Sequence, residues 1–245
     1  MNNDDTSLYS IEFLQAVNDW QIGGDSNMKK KRGDALSELV KDKYEKFKTT
    51  DRECYRRIVL TKKYVWKLGE NLELEESISA WTFSSNVAKS FKGGPTREER
   101  IAVIFKIKPP TECIIINLDL LYKNSDFLKA IESNKHKIKN FNKGIGKYKN
   151  SQNEIILKIG NISINSIYAF GGFSSSLTDL SEKYFMHEPN RKEKRFIHKR
   201  GRFSNRASIP FWITSDAKER TIEFLTSKTE EIKVRQNKLL TIKNN

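Results

Sequence analysis

The sequence predicts an α+β fold, and three observations carry that expectation. Two stretches of helical apolar spacing come first. From Glu53 the texture changes to β-branched and aromatic runs, and these strand-like runs then follow one another with few helices between them. That pattern differs from the regular strand–helix alternation of a doubly wound sheet. No internal repeat and no Pro/Ser-rich linker interrupts the 245 residues. A single elaborated domain is therefore expected, with N-terminal helices over 1–50, a core over 51–170 and a basic extension over 171–245.

Residues 7–19, SLYSIEFLQAVND, place Leu8, Ile11, Phe13, Leu14, Ala16 and Val17 at near-helical spacing behind Thr6 or Ser7 as a cap. After the loop QIGGDSN, residues 34–48 repeat the pattern through Leu36, Leu39, Val40, Tyr44 and Phe47, with Asp34 as N-cap. CYRRIVLTKKYVWKL reads as a strand with its continuation. Ile78 to Ser84 is strand-like, and Asn86 to Phe91 begins a short helix that Gly93, Gly94 and Pro95 end; Ser84 or Ser85 is its cap, and Val87, Ala88 and Phe91 share its buried face. IAVIFKIK at 101–108 is the clearest central strand, stopped by Pro109 and Pro110, and ECIIINL begins another. A helix is expected in DFLKAIESNKHKIKN and a Gly-punctuated loop in FNKGIGKYKNSQ. Two strands, EIILKIG and NISINSIYAF, meet at Gly160 and Asn161. GGFSSSLTD is loop-like, RKEKRFIHKRGRFSNR is a basic run carrying Phe196 and Phe203, SIPFWI is a short apolar patch, and Asp216 to Leu240 reads as a helix.

Charge narrows the partners. With 45 Lys and Arg against 31 Asp and Glu the net charge is +14, which favours nucleic acid, acidic proteins or phosphorylated ligands. The densest stretch runs from Lys123 to Lys149, where Lys129, Lys135, Lys137, Lys139, Lys143 and Lys147 face only Asp126 and Glu132. The two cysteines, Cys54 and Cys113, lie in apolar, strand-like runs and read as reduced core residues. His136, His187 and His198 sit in polar surroundings without ligand spacing, so no metal is expected. MNNDDTSLYS lacks a basic n-region and an apolar h-region, and no run approaches the ~18 apolar residues of a membrane span. A cytoplasmic protein without a membrane partner is the expectation.

Three pieces, in order, carry a family resemblance. CYRRI sets Arg56 directly after Tyr55 at a strand start; SISAWTFSSNVAKSF is a hydroxyl-rich strand followed by a V-A-x-x-F helix; QNEIIL places Gln152 two residues before Glu154 at the head of an apolar strand. Together they resemble the mono-ADP-ribosyltransferases of the Arg, Ser-x-Ser, Gln/Glu-x-Glu class, of bacterial toxin or antiphage-defence type. The likeness covers about residues 30–170.

The resemblance implies a split, mixed or antiparallel β-sandwich around a cleft for NAD, which is co-substrate. It makes residues 51–170 a catalytic core. Glu154 would hydrogen-bond a hydroxyl of the nicotinamide ribose and stabilise oxocarbenium-like charge as nicotinamide leaves, the electronic task that glycosidases give to carboxylates. Gln152, on the same face if the strand period holds, would orient the acceptor; a neutral amide takes no proton from a guanidinium, which weakens the case for an arginine acceptor. Arg56 would fix the NAD pyrophosphate with its planar fork of donors, and Arg97 or Arg100 would reach a phosphate from the segment GGPTREER. Trp81 and the hydroxyls of Ser79 and Thr82 would line the NAD site. The position where relatives sharing the W-T pair carry the first serine is Ala80 here, so the hydroxyl that positions Glu154 must come from Thr82, on the Ala80 face, or from Ser79 on the other. Tyr148, flanked by Lys147 and Lys149, occupies the place of the substrate-recognition turn.

The expected acceptor is RNA or another nucleic acid, because the Lys-rich 123–149 region flanks that turn and a second basic run carries Phe196 and Phe203, which with Tyr148 could stack on bases. A protein side chain is the alternative acceptor. A degenerate fold that binds RNA or protein without turnover is the alternative of another class. The toxin or defence type implies a neutralising partner protein.

Overall fold

A computed structural model of the chain describes residues 8–61, 71–74, 76–93, 100–172, 182, 184–203 and 211–243. Helix α1 (Ile11–Ile22) is capped by Ser10, whose hydroxyl accepts from the Phe13 N–H, and it ends at Gly23 with φ 74°. The expected caps Thr6 and Ser7 lie outside the described residues. Helix α2 (Ser26–Val40) begins well before Asp34: its N-cap is Asp25, which accepts from the Met28 N–H. The run from Lys29 to Arg32 hides this start from apolar periodicity, yet Lys and Arg are good helix formers. Tyr44 and Phe47, expected on that helix, follow it at a short 3-10 turn and are buried all the same.

Strands β1 (Cys54–Thr61), β2 (Leu72–Glu73) and β3 (Ile78–Thr82) precede helix α3 (Ser85–Ser90). Strand β4 (Arg100–Ile107), strand β5 (Ile114–Asn117), helix α4 (Leu118–Leu121), helix α5 (Ser125–Asn134) and the short helix α6 (Ile145–Tyr148) come next. Then follow β6 (Glu154–Lys158), β7 (Asn161–Ile162), β8 (Ile167–Gly172), α7 (Arg191–Phe203), β9 (Phe211–Ile213) and α8 (Ser215–Lys243). The expected strand over 161–170 is two strands separated by a 3-10 turn at Ile164–Ser166. The basic run at 191 forms a helix, because Asn190 caps it and its Lys, Arg and Glu carry no penalty there.

The fold is α+β, and every described strand register is antiparallel. The chain forms two compact units, each drawn from three separated segments. The first takes in Met1–Arg56, Glu73–Val87 and Ile107–Ile162; the second takes in Arg57–Leu72, Ala88–Lys106 and Ser163–Asn245.

In the first unit β6 lies between β5 and β3, with Ile78 opposite Lys158 and Thr82 opposite Glu154, and Tyr55 at the start of β1 pairs with Thr82 on the other side of β3. Phe13, Leu14 and Val17 of α1 and Leu36 and Val40 of α2 pack with Ile78, Ile116 and Ile156 of the strands and with Leu118, Leu121 and Phe127. Phe13 and Tyr44 stack at 4.2 Å between ring centres. A Cβ on Gly33 would meet Ile78 at 2.8 Å and Trp20 at 3.1 Å, so glycine lets the α2 backbone lie directly on both.

In the second unit β8 pairs with β4 and β9. Val103, Ile104 and Phe105 are fully buried in β4, Ala169 and Phe170 in β8 are buried, and Leu225 of α8 is buried too. Ala88 is buried, and Val87, the last residue of its first-unit segment, is half-buried, but Phe91, expected on the buried face of α3, is 45% exposed in the turn after it. Ser84 supplies the α3 cap, its hydroxyl accepting from the Val87 N–H.

Cys54 is buried, which pushes its thiol up to about 12, whereas Cys113 lies half-buried in a 3-10 turn and not in a strand; both are free thiols. No helix among the described residues is long and apolar enough to cross a membrane, and no group of three or more His, Cys, Asp or Glu among them could hold a metal ion.

Candidate functional site

Glu154 opens β6 directly opposite Thr82, so the two side chains leave the same face of the ladder. The Glu154 side chain is only 5% exposed. Its Oε1 accepts a 2.6 Å hydrogen bond from the indole Nε1–H of Trp20, on the last turn of α1. Burial pushes the Glu154 carboxyl up to about 7, and the Trp20 hydrogen bond acts in the opposite sense. Tyr122 lies close by: burial and then the Glu154 charge raise its hydroxyl, which donates to Gln21 Oε1 at 2.8 Å. Gln21 Nε2 in turn donates to the Lys149 carbonyl at 3.1 Å. The end of α1 thus covers Glu154 and grips the loop that precedes it.

Neither expected hydroxyl serves Glu154. Thr82 Oγ1 donates to the Gln152 carbonyl at 2.6 Å and accepts from the Ser84 N–H at 3.1 Å, tying the end of β3 to the turn before β6. Ser79 is buried beside Trp81 and accepts from its Nε1–H at 3.2 Å. The donor that holds the carboxylate is therefore Trp20, a residue no strand motif contains. Ala80 is exposed and pairs with Ile156. Gln152 is half-buried in a turn, and Asn153 has φ 45°, so strand alternation does not reach back to Gln152. Gln152 supplies its carbonyl to Thr82; no side-chain contact brings it to Glu154.

A second buried carboxylate sits one strand away. Asp119, at the start of α4, accepts from Arg52 Nη1 at 2.9 Å, Lys123 Nζ at 2.7 Å, Asn150 Nδ2 at 3.0 Å and Asn153 Nδ2 at 3.3 Å. Burial alone would raise its pKa, but the hydrogen bonds from Lys123, Asn150 and Asn153 outweigh burial and hold it below the ordinary value. Asp119 thereby anchors the turn that carries Gln152. The guanidinium of Arg52 also lies 4.2 Å over the Phe83 ring.

Three polar residues of α1 pin the same region. Asn18, fully buried, donates to the Lys139 carbonyl at 3.0 Å and accepts from the Ile145 N–H at 3.0 Å; Gln15 exchanges hydrogen bonds with the Lys139 backbone. A Cβ on Gly144 would lie 2.4 Å from the Asn18 carbonyl, which is why glycine stands there. Gln15, Asn18 and Gln21 recur every three residues along the helix. That spacing is the one sequence signal that could have pointed to a loop-holding face.

Of the expected NAD and substrate residues, Arg56 forms an ion pair through Nη2 with Glu76 at 3.1 Å, and Glu76 also meets Lys29 of α2 at 3.0 Å. Arg56 Nη1 is buried without a hydrogen-bond partner among the described residues. Burial lowers the hold of the guanidinium on its proton, and the Glu76 charge only partly offsets it. Tyr148 is half-buried on α6 with the Lys147 ammonium 4.9 Å from its ring centre, and Lys147 and Lys149 are exposed. Arg97 lies outside the described residues. The structure thus groups Glu154 with Thr82, places Ser79 with Trp81, and gives Arg56 its own buried ion pair.

Family models, curated proteins and solved structures were compared with the chain, and none matches it.

Proposed function

We propose that the chain is an NAD-dependent mono-ADP-ribosyltransferase that moves ADP-ribose to RNA, as a cytoplasmic toxin or phage-defence effector held in check by a neutralising partner protein. The observation that supports it best is Glu154: a buried carboxyl held by the single indole donor of Trp20, pushed up to about 7, at the head of a strand shortly after the exposed Lys147 and Lys149. Asp119, by contrast, accepts from four side chains.

In the proposed reaction the bond between ribose C1′ and the nicotinamide nitrogen breaks, and its electron pair leaves with nicotinamide. Positive charge spreads over C1′ and the ring oxygen, and ionised Glu154, hydrogen-bonded to a ribose hydroxyl, stabilises it. An acceptor atom of RNA bonds C1′ and releases its proton to solvent. Trp20 occupies Oε1, so Oε2 is the oxygen left for the ribose, and the end of α1 must yield for the ribose to enter. Arg56 would take the pyrophosphate with Nη1, and Glu76 sits where an anionic group would otherwise lie. The net charge of +14 and the exposed Lys147 and Lys149 suit an anionic acceptor at Tyr148, as the phosphates of RNA would provide.

A second reading, a binding module without turnover, has support in the exposed Ala80 and in the cover that Trp20 puts over Glu154. NAD labelled in its adenylate half, incubated separately with RNA, DNA and cell protein, separates the possibilities. Label on RNA is the expected result. Label on protein alone would move the acceptor, and label on none, without nicotinamide release, would leave the binding module.

A further inference from the structure

We propose that the start of α7 and the aromatic residues before it form a recess for a nucleobase of single-stranded RNA. Tyr184 and Phe185 meet edge-to-face at 4.9 Å, and both rings approach Phe196 of α7, at 5.9 and 6.1 Å. With Lys192 and Glu193 they line an open recess of about 440 Å³. Tyr184 is 53% exposed and Phe196 41%, which is unusual for rings gathered into a cluster. Exposed aromatic faces of this kind are stacking platforms for any base.

The charge of helix α7, which borders the recess, suits a polyanion, although the ring-bearing segment before it also carries the exposed acids Glu182 and Glu188. Residues 191–203 carry seven Lys or Arg and one acid, Glu193. That acid is turned back into the helix start: Glu193 Oε2 accepts from the Asn190 N–H at 2.9 Å, while Asn190 Oδ1 accepts from the Lys192 and Glu193 N–H groups at 2.9 and 3.1 Å. This reciprocal capping box leaves Arg191, Lys192 and Arg195 exposed on the first turns of α7, Lys192 at the recess itself, with no acid of the helix facing outward. His187 Nε2 lies 3.4 Å from Oε1, the other oxygen of Glu193. Duplex nucleic acid keeps its bases stacked and offers none to such a recess, whereas a single strand supplies a free base and adjoining phosphates together. The site deepens the RNA-acceptor reading and rests on it for its purpose, but the binding itself can be measured without NAD.

The test is fluorescence anisotropy of a labelled twelve-nucleotide oligouridylate with the full chain. Wild type should bind, with affinity that falls as salt rises. Phe196→Ala and Tyr184→Ala should each weaken binding about tenfold at fixed salt while leaving the salt dependence unchanged. Arg195→Glu should flatten the salt dependence. Circular dichroism checks that each variant is folded, and nicotinamide release in the absence of RNA reports separately on the transferase. No binding at low salt would overturn the recess, and so would equal affinities of wild type and both ring variants. Displacement of the oligonucleotide by polyglutamate as readily as by unlabelled RNA would assign the surface to a protein and overturn it too.

Discussion

Two carboxylates of the first unit, Asp119 and Glu154, are buried almost equally and treated in opposite ways. Asp119 accepts from four side chains, two of them cationic, and is held ionised below its ordinary range. Glu154 accepts from one neutral indole, and burial pushes it up to about 7. The Asp119 arrangement joins α4, the segment before β1 and the turn before β6, so it serves the architecture. Glu154 joins only α1 to its strand and sits at a pKa suited to changing state near neutrality, as pairs of carboxyls with divided roles do in enzymes.

The largest effect should separate them by activity. Glu154→Gln should lower nicotinamide release from NAD at least about 100-fold without loss of folded protein; an Asp119→Ala variant that loses as much at a temperature where it stays folded would blur the division. Stability should separate them the other way. Asp119→Ala should cost about 2 kcal/mol in urea unfolding, since Arg52 and Lys123 are half-exposed and solvate when released. A loss below about 0.5 kcal/mol would deny the anchor.

The pH dependence of stability has opposite signs at the two sites. Glu154, raised from 4.5 to about 7, binds its proton more tightly folded than unfolded, so its contribution is full below 4.5 and is lost as pH rises through about 7. That loss is about 3 kcal/mol at most. Asp119, lowered from 3.8, contributes stability above that value and loses it as pH falls through its folded pKa. Unfolding of wild type and Glu154→Gln between pH 5 and 8 should diverge, with the variant flat where wild type declines; parallel curves would show that Glu154 is not perturbed.

Smaller effects refine the Glu154 side. Trp20→Phe removes the hydrogen bond that favours the ionised form, so the acid limb of nicotinamide release should move up by about one pH unit. Glu76→Gln should lower the KM for NAD a few-fold, because the carboxylate holding Arg56 and Lys29 no longer competes with a phosphate. An unchanged KM would leave that ion pair a purely structural contact.

Much of this was legible in the chain and some was not, for reasons of range. Apolar spacing located α1 and most strands, and the head of an apolar strand located Glu154. The start of α2 was missed because a cationic run has no apolar period to read. Trp20 lies 134 residues from Glu154, and Arg52 lies 67 from Asp119, so neither partnership leaves a local trace. Gln152 was placed by a strand rule that stops at Asn153, where the backbone turns left-handed. Phe196 was visible as an aromatic residue in a basic run, but Tyr184 and Phe185 join it only through the bend at Met186 and the cap at Asn190.

The most direct test is the pH profile of nicotinamide release by the full chain, measured beside Glu154→Gln. Wild-type activity should rise with pH to a plateau, with a midpoint near 7, and the variant should be at least about 100-fold slower across the range. Release that survives in the variant, or a wild-type midpoint at the ordinary glutamate value near 4.5, would contradict the claim that Glu154 carries the chemistry.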